Sequence, residues 1–505
     1  MLPLAMAHEI EIKLALPASA QARFLRLSFL REATARKSGV YLNRYYDTPD
    51  GALQRQGIAL RLRKAHGVWW QTVKCAGHGG GGLMTRPEWE TPYHGEFDFS
   101  AVDDAVTRQR LEQPKTRLRL GLLFETNFRR NTWRFEAVPG AAVVLTLDRG
   151  WLLANGQREP ISELEIELAG GTLGALFDLA QRLAQKVPLL PAMRSKAERG
   201  YRLCQGVPLS PVKASEPRLS ADLSPLAAFQ QIAWACLDPL QLNHAGAIVG
   251  EDPEYVHQMR VALRRLRAAL HLFAPLLPED FMTAVVPPLR ALSTLLGTVR
   301  DLDVLQTERL AGVQHTHPTR PGLTVLMARI AAQRQTARAA LAEALQSLAY
   351  GQWVVGMIAR IHQLDTDPRP TPLAKYAKTH WQRLHKKVVQ RSATLSMDDR
   401  VALHALRIAC KRLRYGIAFF DALSRPSPNQ KAMRVLETMQ AWLGQLNDLS
   451  TAQRFLREAL SFDAAVRPAV DALCLEYATH YAATLAEFPT RMHALHALRL
   501  PKLGG

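Results

Sequence analysis

The sequence predicts an α+β chain of two unlike halves: an antiparallel β barrel with flanking helices, followed by an all-helical, internally duplicated region. Three observations carry this. Polar and apolar residues alternate with a period of two in short segments before residue 205. Apolar spacing changes to the helical 3.6 after residue 222. A pattern running from His257 to Leu302 recurs 147 residues later, from His404 to Leu449. The domains expected are residues 1–205, a linker at 206–222, and residues 223–505 with repeats at about 223–365 and 370–500. At roughly 150 residues per domain, 505 residues hold two or three cores.

In order, the alternating segments are His8–Leu14, Ile58–Lys64, Trp69–Lys74, Arg86–Thr91, Phe124–Phe135, Val143–Asp148 and Ser162–Leu168. Turn signals separate them, among them Pro49-Asp50-Gly51, the glycines 79–82 and Asn155-Gly156. One helix is expected over Thr172–Gln185, capped by Thr172, with Leu176, Leu179 and Leu183 on one face. The linker holds three prolines and little periodicity. Beyond it the Ala/Leu/Arg-rich pattern contains no strand signal and reads as helical bundle.

Composition bounds the function. Apolar residues at 48% and charged residues at 22% exclude wholesale disorder. No run of about 18 uncharged, mostly apolar residues is seen, so no membrane-spanning helix is expected. The N-terminus lacks a basic segment before Glu9 and does not read as a secretory signal, with Met6 an alternative start. Five scattered cysteines form no CxxC, which points to reduced cytoplasm and away from disulfides or a cysteine zinc site. The net charge of +19 divides as +8 before residue 206 and +11 after it, so a polyanionic partner is expected for both halves.

The alternating polar set is chemically specific. Glu9, Glu11 and Lys13 share one strand face, as do Arg61 and Arg63, Thr72 and Lys74, Arg86, Glu88 and Glu90, Arg130 and Arg134, Thr146 and Asp148, and Glu163, Glu165 and Glu167. One such strand alone is ordinarily a solvated, salt-bridged face. Clustered glutamates repel unless a cation lies between them, and clustered arginines call for an anion. With both sets on the inner wall of a closed barrel, carboxylates suit a hard divalent ion and guanidinium groups suit phosphate oxygens. The pattern fits a metal-bound phosphate chain.

At this point residues 8–203 resemble the CYTH, or triphosphate tunnel metalloenzyme, family. The resemblance runs through His8-Glu9-Ile10-Glu11-Ile12-Lys13, Tyr45-Tyr46-Asp47-Thr48-Pro49-Asp50, Ala59-Leu60-Arg61-Leu62-Arg63, Gln71-Thr72-Val73-Lys74 and Arg86-Pro87-Glu88-Trp89-Glu90. It continues through Phe124–Arg130, Leu147-Asp148, Glu163–Leu168 and Ser195-Lys196-Ala197-Glu198-Arg199-Gly200-Tyr201. It implies an eight-stranded antiparallel tunnel and Mg²⁺- or Mn²⁺-dependent hydrolysis of triphosphate. It implies that Glu9, Glu11 and Asp148 face metal, together with Glu165 and either Glu163 or Glu167. Lys13, Arg61, Arg63, Lys74, Arg130 and Lys196 would hold phosphate oxygens, with Arg44, Arg86, Arg134 and Arg199 as weaker candidates. Glu9, Glu11 and Lys13 form the catalytic set, with Lys13 left open between positioning and deprotonating the attacking water.

In the second half, His257, Arg260, Arg264 and Arg267 fall within about 80° of helical arc, and His404, Arg407, Lys411 and Arg414 repeat them. Such stripes want an anion or paired acids, and Asp301 and Asp448 are the expected internal partners. A basic stripe alone reads as solvated surface, but a histidine repeated at the same place does not follow from solvation. Residues Pro225–Leu500 resemble the CHAD domain. That resemblance implies two four-helix bundles with a basic channel binding inorganic polyphosphate, with Arg300, Lys375, Lys378 and Lys386 as additions. Asn447 stands where the first repeat has Arg300.

The joined reading is a triphosphatase coupled to a polyphosphate-binding module, cytoplasmic and associated with polyphosphate granules. A non-catalytic polyphosphate scaffold, or a hydrolase of thiamine triphosphate or a nucleotide, stays open. Nucleic acid is disfavoured as partner, because aromatics at 7% are not interleaved with Lys/Arg on a strand.

Overall fold

The computed structural model describes residues 8–501 except 66, 139–140, 218, 365–370, 425 and 463; at 8–9, 78, 137–138, 426–428 and 459–462 it describes the backbone alone. The chain forms two compact units, Met1–Ser210 with Gln346–Gln363, and Pro211–Leu345 with Leu364–Gly505.

In the first unit the strands are β1 (His8–Ala15), β2 (Ala35–Asp47), β3 (Ile58–Ala65), β4 (Val68–Cys75), β5 (His78–Gly80), β6 (Leu83–Pro92), β7 (Gly121–Val138), β8 (Ala141–Ala154), β9 (Gln157–Gly170) and β10 (Leu190–Pro191). Eight of them run antiparallel in the order β1-β9-β8-β7-β2-β3-β4-β6, and pairing of β6 with β1 closes the barrel. The expected alternating segments all lie on barrel strands. Strand β2 is the one that alternation did not reveal, because its first half is polar and exposed and, of its inward positions Asn43, Tyr45 and Asp47, only the last carries a charge.

The alternate set packs outward. Ile12, Leu14, Leu60, Leu145, Leu147, Leu164 and Ile166 are buried, each such side chain contributing roughly 1.5–3 kcal/mol. The helix expected at 172–185 spans Leu173–Ala184 and lays Leu176, Phe177, Leu179, Ala180 and Leu183 over β8 and β9. A second helix, Leu348–His362, also belongs to this unit, although its sequence falls within the first helical repeat expected at about 223–365. It packs on the Leu173–Ala184 helix, where His362 stacks on Phe177 at 5.1 Å.

The second unit is helical throughout its described elements. Pro225–Leu242, Pro253–Phe273, Glu279–Val304 and Leu323–Gln346 are followed by Leu373–Ala393, Arg400–Phe419, Pro426–Phe462 and Arg467–Leu485. The helices starting at Pro253 and Arg400, and at Glu279 and Pro426, keep the 147-residue offset of the sequence repeat. Contrary to the expectation of no membrane-length apolar run, Glu279–Thr316 is long and apolar enough by length and composition to cross a membrane. In this structure its Leu289, Leu296 and Val299 are buried in the helical unit. All five cysteines are free thiols.

Candidate functional site

Strand geometry builds the site. Glu163 and Glu165 project from one face of β9, and the register sets Asp148 opposite Glu163, and both Thr146 and Lys13 opposite Glu165. Oxygens of Asp148, Glu163 and Glu165 lie within 4.8 Å of one another, and all three residues are buried. Three buried anions at that separation are tolerable only with cations between them.

The cations come from three elements. Lys196, at the start of the Lys196–Cys204 helix, places Nζ 2.7 Å from Asp148 and 3.0 Å from Glu165, and also pairs with Glu163. Arg130 on β7 clamps Asp148 through Nε and Nη2 at 2.7 and 2.6 Å and reaches Glu165 at 2.6 Å. Lys13 on β1 lies 2.8 Å from Glu165 and 3.2 Å from Glu11, and Glu11 accepts from Arg86. Local sequence fixes the Lys196 helix: Ser195 and Glu198 form a reciprocal capping box. Gly200 rests on Phe124, where a Cβ would stand 2.0 Å from the ring.

These groups hold one another charged. Burial alone would lower the Lys13 pKa, but Glu11 and Glu165 outweigh it and raise it; Lys196 is raised in the same way by Asp148, Glu163 and Glu165. Burial alone would raise Glu165, but Lys13, Lys196 and Arg130 carry it well below the usual carboxylate range. Asp148 is lowered too, burial being outweighed by Lys196 and Arg130.

The opposite pole is cationic. Lys74 lies 2.6 Å from Glu88, and Arg61 reaches Glu88 at 3.4 Å and Glu90 at 3.8 Å. Arg63 donates to Asn43 at 2.9 Å, and Thr72 donates to Glu90 at 2.9 Å. Burial, then Arg61 and Arg130, push the Arg63 pKa down to about 10. The poles meet at Tyr41, whose ring lies 5.6 Å from the Arg63 guanidinium and 5.9 Å from that of Arg130. Arg61 Nε and Thr146 Oγ1 are buried without a hydrogen-bond partner. A donor among cations and a hydroxyl beside the three carboxylates are thus left for something besides protein.

The structure therefore brings together Glu11, Lys13, Arg61, Arg63, Lys74, Arg86, Arg130, Asp148, Glu163, Glu165 and Lys196. Arg199 stands at the edge, 3.4 Å from Glu163 and 2.6 Å from Glu159. Three candidates lie elsewhere. Arg44 falls between the inward Asn43 and Tyr45, so it points outward, paired with Glu125 at 2.7 Å and stacked on Trp69. Arg134 is at a half-exposed strand end with Glu136 3.0 Å away. Glu167 has the right parity but is exposed and outside the three-carboxylate cluster. Glu9 pairs with Arg86 by backbone register, while its side chain lies outside the described residues. Asn43 was not named from sequence, and Tyr45 and Thr146 were named without a role; the parity of Tyr41, Asn43 and Tyr45 was the available signal.

In the helical unit, Arg260 and Arg264 of one repeat are electrostatic neighbours of Arg407 and Lys411 of the other, with Asp301 and Asp448 as the acids among them. Gly297 leaves room for Arg260, since a Cβ there would lie 2.8 Å from Nη1. Arg264 Nε, Arg407 Nε and Arg414 Nε are buried without partners. His257 lies near Arg300, Arg264 and Arg260. His404 Nδ1 is 3.2 Å from Asn447, the residue replacing Arg300, which itself pairs with Glu308 at 3.0 Å. Arg414 is 3.9 Å from Glu437, and Arg267 is an electrostatic neighbour of Arg412. Lys375, Lys378 and Lys386 are exposed.

Comparison with known proteins agrees with this division. Residues 7–201 match the CYTH domain model and residues 231–457 the CHAD domain model. An inorganic triphosphatase of Haemophilus influenzae is 32% identical over 203 residues, 39% of this chain; the chain spans 55% of that protein's length. The crystal structure of the CHAD domain from the plant Ricinus communis is 32% identical, with a TM-score of 0.52, covering 58% of this chain and 99% of that domain. The chain belongs to the CHAD family through its helical domain, and its barrel matches the CYTH domain model.

Proposed function

We propose that the barrel hydrolyses inorganic triphosphate to pyrophosphate and phosphate with Mg²⁺ or Mn²⁺, and that the helical domain binds inorganic polyphosphate. One observation carries the enzymatic reading: Asp148, Glu163 and Glu165 converge in a buried bore whose other groups are Lys13, Arg61, Arg63, Lys74, Arg86, Arg130 and Lys196. The name of the Haemophilus influenzae relative supports it.

The donor set fits a divalent ion. Three carboxylates supply hard oxygens, and the unpartnered Thr146 hydroxyl stands beside them. When bound, such an ion supplies a Lewis acid and lowers the pKa of water. The charge balance ties its binding to the substrate: Lys13, Lys196 and Arg130 already neutralise the three carboxylates, so a divalent cation creates an excess that the phosphate chain offsets.

The chain's own groups then do the rest. Arg61, Arg63, Lys74 and Arg86 take phosphate oxygens, Arg61 with an Nε that has no protein partner. Water attacks the terminal phosphorus in line, the bridging P–O bond breaks, pyrophosphate leaves with the bonding pair, and the water's proton passes to solvent or to a product phosphate oxygen. Arg130 and Lys196 offset charge on the transferring group. Lys13, 3.2 Å from Glu11 and 2.8 Å from Glu165, is placed to donate to the phosphate and orient the attack.

For the helical domain, the partnerless Arg264 Nε and Arg407 Nε within the two-repeat stripe support a polyanionic ligand. A cytoplasmic location at polyphosphate granules accords with both activities. The test is turnover of triphosphate, ATP, thiamine triphosphate and long-chain polyphosphate under matched Mg²⁺. Triphosphate is expected to be hydrolysed fastest; preference for thiamine triphosphate or ATP would replace this reading.

A further inference from the structure

The two helical repeats are not equivalent, and the difference is concentrated on one surface. In the first repeat Arg265 is neutralised, pairing with Glu216 at 2.6 and 2.8 Å and donating to Ser215 O at 3.2 Å. Its counterpart 147 residues on is Arg412, whose electrostatic neighbours are Arg267 and Arg391. Likewise Cys236 and Leu240, both buried, correspond to Arg383 and Lys387, and His244 corresponds to Arg391. The matching tryptophans Trp234 and Trp381 fix this alignment.

Packing brings the new cations together. Tyr376 donates its hydroxyl to Leu272 O at 3.0 Å and stacks on Phe273 at 5.2 Å, which seats the Leu373–Ala393 helix on the end of Pro253–Phe273. Trp381 donates to Gly416 O at 2.7 Å, which seats the same helix on Arg400–Phe419. Arg383 and Lys387 follow Tyr376 at i+7 and i+11, on its side of the helix. Arg412 precedes Gly416 by one turn, on the face turned toward the Leu373–Ala393 helix. His271 stands among Arg412, Lys387 and Arg383; burial, and then these three, press its imidazole down to about 4.

Among the described residues no acid pairs with these cations. The helices Pro253–Phe273, Leu373–Ala393 and Arg400–Phe419 contain one carboxylate between them, Glu254 in the first turn of the first. Among the described residues Arg267, Arg383, Lys387, Arg391 and Arg412 form no ion pair, and Arg267, Arg383 and Arg391 are exposed. Arg383 and Lys387, and Lys387 and Arg391, are like charges at i,i+4, an arrangement that costs stability unless an anion offsets it.

We propose that Arg267, Arg383, Lys387, Arg391 and Arg412 form a second phosphate-chain subsite, peculiar to the second repeat, onto which a polyphosphate running from the Arg260/Arg264/Arg407/Lys411 stripe continues. This rests on the polyphosphate reading above and adds to it a direction and a length requirement. The helix Pro253–Phe273 carries both surfaces, and from Arg260 to His271 it covers about 16 Å. Only a chain of many phosphates engages both. A bare chain is favoured over RNA because the exposed large apolar residues of these helices are Val389, Val401 and Ile408, with no aromatic to stack a base.

The test is binding of long-chain and short-chain inorganic polyphosphate by the full chain, wild type against Arg383→Gln/Lys387→Gln. The variant is expected to weaken long-chain binding roughly tenfold, at a few-fold per exposed ion contact, and short-chain binding by less than about twofold. Its salt dependence becomes shallower, and its thermal midpoint without ligand is unchanged or higher, because repulsion has been removed. Arg383→Lys/Lys387→Arg restores long-chain affinity. Wild-type binding that the glutamine variant leaves unaltered overturns the subsite alone. Wild type that binds no polyphosphate overturns the underlying reading and the subsite with it. Single-stranded RNA bound as tightly, with the same loss in the variant, overturns the choice of ligand.

Discussion

The Lys196 ammonium lies 2.7 Å from the Asp148 carboxylate, at the point where Glu163 and Glu165 also converge. An internal cation thus stands among the oxygens best suited to a divalent ion. Removing it leaves buried anions unpaired, so Lys196→Met is expected to destabilise the metal-free protein by about 3 kcal/mol. Mg²⁺ should recover part of this. Mn²⁺ binding without phosphate, followed by electron paramagnetic resonance, should tighten in the variant while triphosphate turnover falls. Equal Mn²⁺ affinity in the two proteins contradicts the charge balance described for the bore.

Lys196 is held in place by a contact that carries no charge. Gly200→Ala would set a Cβ 2.0 Å from the buried Phe124 ring. The expected cost is roughly 1–3 kcal/mol of stability. Because the helix must shift outward, kcat for triphosphate should fall although no ionisable group has changed. Phe124→Leu in the Gly200→Ala background should recover both quantities in part, as measured by thermal melts and phosphate release.

Arg44 and Arg61 separate the two faces of the barrel wall. Arg44→Gln removes an outward ion pair with Glu125 and should change turnover by less than about twofold. Arg61→Gln removes a buried guanidinium with an unpartnered Nε and should lower turnover roughly 10²-fold. Steady-state kinetics of the two purified variants checks the contrast.

That contrast marks how far the sequence could be read. The period-two charges of β1, β3, β8 and β9 were legible because two sets of like charges on successive strands have few stable arrangements outside an enclosed bore. Arg44 misled because a motif names residue types, whereas the face is decided by strand parity, and β2 was not recognised as a strand. Glu167 has the right parity but lies where β9 leaves the cluster, a matter of register that no local pattern encodes. Asn43, Tyr45 and Thr146 are uncharged, so the sequence gave them no role until their neighbours were known, although Thr146 stood in the alternating set and Tyr45 in a motif. In the helical half the 147-residue repeat was legible directly, because its charged and glycine positions recur without a gap. The Leu348–His362 helix was not, because its apolar face looks alike whichever unit it covers.

Lys411 links polyphosphate binding to pH. Burial, then Arg407, Arg264 and Arg260, push its pKa down to about 7. A bound polyanion raises it again, so binding takes up a proton above pH 7. Affinity is greatest below pH 7 and falls as pH rises, by up to about one log unit per pH unit until the bound-state pKa is passed. In the unliganded protein the sign is opposite: the unfolded chain binds the extra proton between pH 7 and about 10.5, so stability rises with pH across that window. Calorimetry in buffers of different ionisation heat should detect the proton uptake, and Lys411→Met should abolish it while raising stability at pH 7.

The central claim is that the buried carboxylates and cations of the barrel share a divalent ion and a triphosphate. The most direct measurement is Mg²⁺-dependent phosphate release from triphosphate by the wild type and by Asp148→Asn and Glu165→Gln, each confirmed folded by thermal melting. Release that requires the metal and drops at least about 10²-fold in both variants is the result predicted. Metal-independent release, or release at the wild-type rate by both folded variants, contradicts it.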